Sequence, residues 1–391
     1  MENTNISKLD FLPEEYEQEV YDRMNLDGIN SEMSDGQRRF VTGLIRYYKP
    51  ENILELGVSA GGGTAIILNA IQDMDSKLYS VDVLETVYRE PENEVAYIAK
   101  KRYPEMLNNR WQLYTGKDPS ELMKKLDTKF DFCVIDTMHS HPVETINFIS
   151  ILPWLKDGAV VVMHDTTLYE WRLENTFMKC FAPRILLSAV CADKYVPKLP
   201  SGSMIASNIA AWQISSDTRK YSRNLFDSLY LPWEMSIEQK TYLSVRTLVS
   251  EYYPSSYVDV YDEAVRINRS MATAKKCGVL SLETVWETLP EDVIFYGAGA
   301  NMNMIIDSLY DLDLKFDYEI WDQRAEKIKE IRGHKVDLPK REKSSKEGRY
   351  MIVTVLNKDI YEEIKEQYSA LGYKVVHGLN GFLEEIKTEK I

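Results

Sequence analysis

The chain alternates, over most of its length, between short runs of apolar residues and longer amphipathic segments. The runs have the length of strands, and the segments between them repeat apolar residues at the three- and four-residue spacing that is typical of helices. Strands that are apolar on both faces belong to parallel sheets covered by helices on both sides. The alternation therefore predicts an α/β fold whose first sheet has strands at 52–57, 77–83, 111–116, 130–136 and 159–165.

The flanking segments extend this pattern at both ends. Ser34 and Asp35 are predicted to cap the first helix of the unit, and Pro50 is predicted to end it. Two later apolar runs, 184–190 and 209–215, are predicted to add strands at the sheet edge. The Tyr-rich stretch that follows has a helical pattern and no site signature, which favours a helical bridge or an oligomerisation element.

A second, smaller α/β unit is predicted from residue 283 onwards. The apolar run 292–299 reads as a strand that enters a glycine turn, and a helix and a strand at 318–322 follow it. Further strands are predicted at 349–355 and 373–378. The predicted domains are therefore 1–215, 216–282 and 283–391.

Composition excludes several classes of protein. The 391 residues contain 47 Lys and Arg against 61 Asp and Glu, a net charge of −14, which argues against a nucleic-acid-binding surface. No apolar run is long enough to span a membrane, and the first ten residues lack the pattern of a signal peptide. The four cysteines form no CxxC pair and are interpreted as buried thiols of a cytoplasmic protein.

Residues 53–64, ILELGVSAGGGT, connect the first strand to its helix through glycines. Glycine lets the backbone turn sharply, and it lets a ligand approach bare amides at a helix N-terminus. Asp82 ends the second strand, where a carboxylate can accept the two hydroxyl hydrogens of a ribose. Any Rossmann-like first turn favours glycines, so a purely structural loop is the alternative interpretation.

The E-x-G-x-x-x-G form of this loop, followed by an acid, resembles the class I S-adenosylmethionine (SAM) methyltransferases rather than dinucleotide-binding proteins. The resemblance implies a Rossmann-like sheet that binds SAM as its cofactor. The methionine and ribose part would lie along the loop, Asp82 would hold the ribose, and the turn after the third strand would border the adenine. The cofactor-binding residues so implied are Glu55, Gly57, Ser59, Gly61, Asp82, Gly116 and Asp118.

Acidic and imidazole side chains follow the fourth and fifth strands. FDFCVIDTMHSH places Asp136 and His139 after the fourth strand, and AVVVMHDTT places His164 and Asp165 at the end of the fifth. In parallel sheets the ligand crevice lies at these carboxyl ends, near the point where the strand order reverses. We therefore expect Asp136, His139 and Asp165 to converge opposite the glycine loop.

The D-x-x-H-S motif after the fourth strand and the H-D motif after the fifth resemble those of a branch of small-molecule O-methyltransferases. This branch includes macrolide-sugar O-methyltransferases and cephalosporin-hydroxylase-like proteins, and the resemblance covers residues 34–215. This resemblance implies a divalent metal, Mg²⁺, bound by Asp136 and Asp165, with His139 as the catalytic base beside Asp136. Such a cation would withdraw charge from an acceptor hydroxyl and fix its position. Members often carry a second acid or amide directly after the acid of the fifth strand, where this chain has Thr166. The alternatives are therefore a metal site that is weaker, one that is completed by water, or no metal site.

Two aromatic residues, Tyr169 and Trp171, follow this second motif. They are expected either to line an acceptor pocket or to belong to the core.

A second glycine loop, VIFYGAGAN, has G-x-G spacing, and Met302 stands where a third glycine would be expected. This half resembles the Rossmann-like C-terminal domains of sugar C-methyltransferases and the nucleotide-sugar-binding domains of some acyltransferases. The resemblance implies a second ligand site, for a phosphate or a nucleotide, at Gly297, Gly299, Asn301 and Asp322. A packing or dimerisation domain is the alternative.

These observations predict a cytoplasmic, SAM-dependent O-methyltransferase that acts on a hydroxyl of a sugar, a nucleotide sugar or another small polar metabolite. A homodimer is expected, without nucleic-acid or membrane partners. A non-catalytic nucleotide-sugar-binding or scaffold protein of polysaccharide synthesis is the first alternative. A cephalosporin-hydroxylase-like enzyme is the second, although no two-histidine, one-carboxylate iron site is found at a suitable spacing.

Overall fold

The computed structural model describes residues 33–170, 180–197, 207–276, 292–311, 317–344, 348–355 and 357–378. They form two compact units that divide between Ala264 and Val265. Both units are α/β, as predicted, and each is built around a largely parallel sheet.

The first unit contains a seven-stranded sheet in the order β5-β2-β1-β6-β7-β9-β8. Its strands are β1 Asn52–Leu56, β2 Lys77–Asp82, β5 Trp111–Thr115, β6 Phe130–Ile135, β7 Leu155–His164, β8 Lys194–Tyr195 and β9 Ile209–Gln213, and β3 Thr86–Val87 pairs with β4 Glu90–Glu94 in a separate hairpin. The helices are α1 Asp35–Tyr48, α2 Gly62–Ala70, α3 Tyr97–Arg102, α4 Pro119–Leu126, α5 Val143–Ile151, α6 Ala182–Ala189, α7 Ser216–Lys220, α8 Arg223–Ser228 and α9 Gln239–Tyr252. Helix α10, Ser256–Lys276, contains the point at which the two units divide.

The sheet reverses its strand order between β1 and β6. Strands β5, β2, β1, β6 and β7 run parallel, and β2 and β6 lie on opposite sides of β1. A ligand crevice forms at such a switch point, because the connections leave the two strands in opposite directions. The amide of Asp136, just after β6, donates to the Leu56 carbonyl at 2.9 Å, so the ends of both central strands lie side by side.

Helix α1 begins as predicted from its cap. The Ser34 side chain accepts a hydrogen bond from the Gln37 amide while the Gln37 side chain accepts one from the Ser34 amide, a complete capping box. Phe40, Leu44 and Ile45 are buried against the sheet. The chain leaves the helix through Lys49 in a left-handed conformation, directly before Pro50.

The prediction of a strand at 184–190 is wrong. Residues 182–189 form α6, in which Pro183 occupies the first turn. Leu186 and Leu187 are buried, whereas Arg184 and Ser188, four residues apart, are exposed on one face. A short apolar run fits a strand and a buried helix equally well, and here the helical spacing decides. The other predicted edge strand is confirmed as β9, which runs antiparallel to β7.

Helix α3 is short, because residues up to Glu94 belong to β4 and the helix begins only at Tyr97. The Tyr-rich stretch is helical, as predicted, but its first long helix is interrupted between Ser228 and Gln239, where Pro232 lies.

The helices after residue 215 pack on the first unit. In α9, the Ser244 and Thr241 hydroxyls bond to Ser120 and Asp118 of α4, at 2.8 and 3.1 Å. The Tyr253 hydroxyl donates to the carbonyl of Ile149 at 2.7 Å. Part of the predicted bridge therefore covers the sheet's own helices.

The second unit has a six-stranded sheet in the order β12-β13-β11-β10-β14-β15. Only β12 is antiparallel to its neighbour. Its elements are β10 Asp292–Tyr296, α11 Ala300–Asp311, β11 Asp317–Trp321, β12 Glu330–Ile331, β13 His334–Asp337, β14 Tyr350–Val353, α12 Lys358–Ser369 and β15 Lys374–His377.

Cys133 and Cys180 are buried, as predicted, whereas Cys191 is only half-buried and Cys277 lies outside the described residues. Within the described ranges, no helix combines the length and the apolar character needed to cross a bilayer.

Glu55, in the middle of the sheet, is buried and fully hydrogen-bonded. Its carboxylate accepts the Thr64 hydroxyl at 2.9 Å and the Ser80 hydroxyl at 2.5 Å, which joins β1 to α2 and β2. Burial raises the pKa of Glu55 to about 7, although both hydrogen bonds act in the opposite direction.

Gly57 must be glycine for the two central strands to meet. Its φ is +86°, and an added Cβ would overlap the carbonyl oxygen of Asp136. Gly57→Ala is therefore expected to lower the free energy of unfolding by about 3 kcal/mol, from the left-handed conformation and the overlap together. Gly116→Ala, at a φ of +62° beside the flexible Glu85 side chain, is the matched control and should cost about 1 kcal/mol. Urea unfolding measures both, and equal losses would contradict the contact.

Glu55→Gln should flatten the dependence of stability on pH. The pKa of Glu55 is raised from 4.5 to about 7, so the fold favours the protonated form, and stability present below pH 4.5 is lost as the pH rises to 7. The difference corresponds to about 3 kcal/mol, which the glutamine variant should not lose. Glu51→Gln, at an exposed residue directly before the same strand, is the control; unfolding curves at several pH values are the measurement.

Candidate active site

Two carboxylates and two imidazoles meet at the switch point of the first sheet. His139 Nε2 lies 3.0 Å from Asp165 Oδ2 and 3.6 Å from Asp136 Oδ1. On the other side of the carboxylates, His164 Nδ1 lies 3.3 Å from Asp136 Oδ2 and 3.4 Å from Asp165 Oδ1. The predicted residues Asp136, His139 and Asp165 are thus brought together, and His164 joins them.

The local backbone explains why side chains from two loops converge. Asp136 follows β6 and His164 ends β7, so both emerge from the carboxyl edge of neighbouring strands. His139 and Asp165 both have a φ of +59°, a left-handed conformation that is uncommon outside glycine and turns each loop sharply inward. Such strain is concentrated at functional sites, where the surrounding structure maintains it.

Glu144, in the first turn of α5, is a buried member of the site that the sequence-based prediction missed. Its carboxylate accepts hydrogen bonds from the amide of His139 and the hydroxyl of Thr137, and its Oε1 lies 3.7 Å from His139 Nδ1. The signal was present in the sequence, since Glu144 is the one charged residue of the segment VETINFISI. Its position behind His139 was not evident.

Asn208, the second residue missed, supports Asp165 from the far side. Its amide nitrogen donates to Asp165 Oδ1, and its oxygen accepts the amide and hydroxyl of Thr167, at 2.8 and 3.1 Å. Thr166 is buried, and its hydroxyl donates to the Ser207 carbonyl at 3.3 Å. The side chain that stands in place of an acid therefore points away from the carboxylates.

The histidines and carboxylates of the cluster shift each other's pKa values. Burial would lower the pKa of His139, but its hydrogen bond to Asp165 and the charges of the nearby carboxylates raise it to about 9. The pKa of His164 is raised as well, chiefly by Asp136 against the effect of burial. Burial would raise the pKa of Asp136, yet His164 and His139 lower it. Burial raises the pKa of Glu144 to about 7. The two imidazoles and the carboxylates beside them thus stabilise each other's charged forms.

Asp82 organises the glycine loop. Its Oδ2 accepts the amides of Val58 and Ser59 at 2.9 and 3.0 Å, and its Oδ1 accepts the amide of Leu84 at 2.9 Å. Each carboxylate oxygen has two lone pairs, so those of Oδ2 are used by its two amides, whereas Oδ1 can still accept a ribose hydroxyl. Gly61, with a φ of +90°, lies against the Cα of Ala96, so its need for glycine comes from this neighbour.

The turn after β5 lies beside the end of β2. The Gly116 amide donates to the Leu84 carbonyl at 3.2 Å, next to the strand end that carries Asp82. Asp118 caps α4 by accepting the amide of Ser120 at 2.8 Å. Gly116 therefore lies beside the end of β2, on the side where adenine was predicted to bind. The Asp118 carboxylate is already used as the cap of α4.

A cavity of about 40 Å³ lies beside the glycine loop. Among its lining residues are Glu55, Gly57 and Gly63 of the loop region and Asp136 of the cluster. Tyr169 packs against Phe181, with ring centroids 5.5 Å apart, and Trp171 lies outside the described residues.

The second glycine loop, like the first, is held by an aspartate at the end of the following strand. Asp322 Oδ2 accepts the amide of Ala298 at 2.7 Å, and its Oδ1 accepts the amide of Arg324 at 2.7 Å. Gly297 has a φ of +109° and packs on the Thr354 hydroxyl, while Asn301 donates to the Thr354 carbonyl at 3.1 Å. An added Cβ at Gly299 would meet open space.

The donor atoms of the first site fit a divalent metal. One atom each from Asp136, His139 and Asp165 lies within 4.8 Å of the other two. In addition, both ring nitrogens of His164 and Oε2 of Glu144 are buried without a hydrogen-bond partner among the described residues. Carboxylate oxygen and imidazole nitrogen are common ligands of divalent cations in proteins.

Comparisons with known proteins agree with this geometry. Residues 54–166 match a family model described as a methyltransferase domain. No curated protein sequence matches the chain significantly. Solved structures that match this chain include the O-methyltransferase TomG from Streptomyces achromogenes in complex with SAM. The match has 18% sequence identity and a TM-score of 0.37, and it covers 52% of this chain and 88% of TomG.

Two further solved structures bind the demethylated product, S-adenosylhomocysteine (SAH). An O-methyltransferase from Bacillus cereus has 18% identity and a TM-score of 0.37, covering 51% of this chain and 90% of its own. The Podospora anserina methyltransferase PaMTH1 has 15% identity and a TM-score of 0.35, with 52% and 88% covered. The matched segment contains both the glycine loop and the Asp–His cluster.

Proposed function

We propose that this protein is a SAM-dependent O-methyltransferase that modifies a hydroxyl of a sugar or another small polar metabolite with the help of a divalent cation. The observation that carries the proposal is the Asp136–His139–Asp165 cluster, placed at the switch point directly beside the glycine loop. A methyl acceptor bound at the cluster would face a donor bound along the loop.

On the donor side, the loop and Asp82 provide the features that a SAM site needs. Asp82 keeps a lone pair on Oδ1 for a ribose hydroxyl, and Gly116 lies beside the end of the strand that carries Asp82. Glu55, Gly57, Ser59 and Gly61 complete the proposed contact surface. When bound, SAM supplies a methyl group from a positively charged sulfur. The sulfur keeps the electron pair of the broken S–C bond.

On the acceptor side, Asp136 and Asp165 would hold Mg²⁺ or a related cation. When bound, the cation would make an acceptor hydroxyl more acidic, and holding that hydroxyl close to the donor is worth about 7–11 kcal/mol in favourable cases. The role of base suggested for His139 requires Nε2, because Nδ1 faces Glu144. Glu144 and Asn208 hold the two loops in place.

For the second unit we propose a phosphate or nucleotide site at the loop Gly297–Asn301. The support is the position of Asp322, which accepts a loop amide as Asp82 does in the first unit. Asn301 fixes the first turn of α11 against Thr354, and Gly299 leaves the loop open to solvent.

SAH should stabilise the protein through Asp82. At a concentration of 100 times its Kd, the ligand adds about 2.7 kcal/mol to the free energy of unfolding, which raises the melting temperature by several degrees. Asp82→Asn should abolish the shift, and Asp131→Asn, at the start of β6 and away from the crevice, should retain it. Thermal melts with and without SAH are the measurement; no shift in the parent protein would overturn the proposal.

Asp136→Asn should separate methyl transfer from donor binding. We expect SAH formation with a panel of sugars and nucleotide sugars to require a divalent cation, to stop with EDTA, and to fall at least about 100-fold in this variant. The SAH-induced thermal shift should remain, because Asp136 lies on the acceptor side. Asp131→Asn is again the control. Undiminished activity in Asp136→Asn would remove the cation from the proposal.

A further inference from the structure

We propose that His139 Nε2 is the third ligand of the cation held by Asp136 and Asp165. The centre would then have mixed nitrogen and oxygen ligands and would favour Mn²⁺ or another first-row transition ion over Mg²⁺. The role of this cation in methyl transfer rests on the proposed function, whereas the ligand set rests on the geometry of the cluster alone.

The distances around His139 are close to those between ligands that share one ion. Nε2 lies 3.0 Å from Asp165 Oδ2 and 3.6 Å from Asp136 Oδ1. Donor atoms bound about 2.1 Å from a common ion are separated by roughly 3.0–3.4 Å, in octahedral or tetrahedral geometry respectively. The imidazole therefore needs little movement to bind an ion together with both carboxylates.

The opposite side of the carboxylates is already occupied. Asp165 Oδ1 accepts the amide of Asn208, and His164 Nδ1 approaches the same oxygen as well as Asp136 Oδ2. The His164 side chain is 4% exposed, whereas those of His139 and Asp136 are 18% and 30% exposed. The two oxygens that face His139 are thus the ones left for a cation that an acceptor can reach.

Glu144 prepares His139 for this role. Its Oε1 lies 3.7 Å from Nδ1, beyond hydrogen-bonding distance, and Glu144 also accepts the His139 amide, which holds the backbone of this turn. A metal-binding histidine usually directs its other N–H to a carboxylate or a carbonyl, and this leaves a lone pair on the ligating nitrogen. In this orientation, Nε2 is the nitrogen directed to the ion.

The oxygen ligands alone do not make a good Mg²⁺ site. The hydroxyl of Thr166 is bonded to the Ser207 carbonyl, and the oxygen of Asn208 is bonded to Thr167. Two carboxylates and one imidazole remain, a ligand set that suits Mn²⁺, Fe²⁺, Co²⁺ or Zn²⁺, whereas Mg²⁺ prefers oxygen only. A nitrogen that binds an ion cannot take up a proton, so this role replaces that of base for His139.

The test is pulsed electron paramagnetic resonance of the full-length protein with Mn²⁺ alone. We expect the Mn²⁺ signal to show modulation from a directly bound ¹⁴N nucleus. When the protein is labelled with ¹⁵N-histidine, this modulation should change to the ¹⁵N pattern, which identifies a histidine ligand without a variant. In His139→Gln the nitrogen coupling should disappear and the Kd for Mn²⁺ should rise about tenfold or more, while the Kd for Mg²⁺ changes less than about threefold. His334→Gln, in the second unit, should keep the parent spectrum and affinity.

Mn²⁺ bound without nitrogen coupling would overturn the inference, as would coupling that persists in His139→Gln or the absence of Mn²⁺ binding. The outcome is separable from that of the proposed function. An oxygen-only Mn²⁺ spectrum together with a normal SAH shift would leave the methyltransferase intact. A nitrogen-coupled spectrum in a protein that does not bind SAH would contradict only the methyltransferase.

Discussion

The backbone contact between Gly57 and Asp136 is the constraint on which the site depends. The two residues follow adjacent parallel strands, and the absence of a side chain at Gly57 lets the carbonyl of Asp136 lie directly against it. This contact fixes the distance between the glycine loop and the cluster. A donor and an acceptor held on the two sides of one crevice can react without a search for each other, which is a large part of the advantage that an enzyme has over solution.

The sequence predicted those parts of the fold and site that depend on short stretches of chain. The apolar runs identified β1, β2, β5, β6 and β7, because a strand buried on both faces has no polar alternation to obscure it. The position of acids at the ends of β6 and β7 was sufficient to predict that Asp136 and Asp165 meet. The run at 184–190 was misassigned because a short apolar segment carries no period of its own, and only the exposure of Arg184 and Ser188 shows the helix.

What the sequence did not predict are contacts between distant segments. Asn208 reaches Asp165 across 43 residues, and its amide could have served any buried acceptor. Glu144 stands only five residues after His139, yet its role depends on the left-handed turn at His139, which no residue type there would suggest. Both partners orient rather than react, and such residues have little signature in a single sequence.

The position of Asn208 directly before β9 has a consequence for how this protein can vary. Strand β9 is the last but one in the sheet and does not border the switch point between β1 and β6. The residue that leads into it nevertheless holds one oxygen of Asp165. Slippage of β9 against β7 by a single residue would replace Asn208 with a neighbour of opposite orientation and release that oxygen. Variation towards the periphery of the sheet is thus coupled to the arrangement of side chains at its centre.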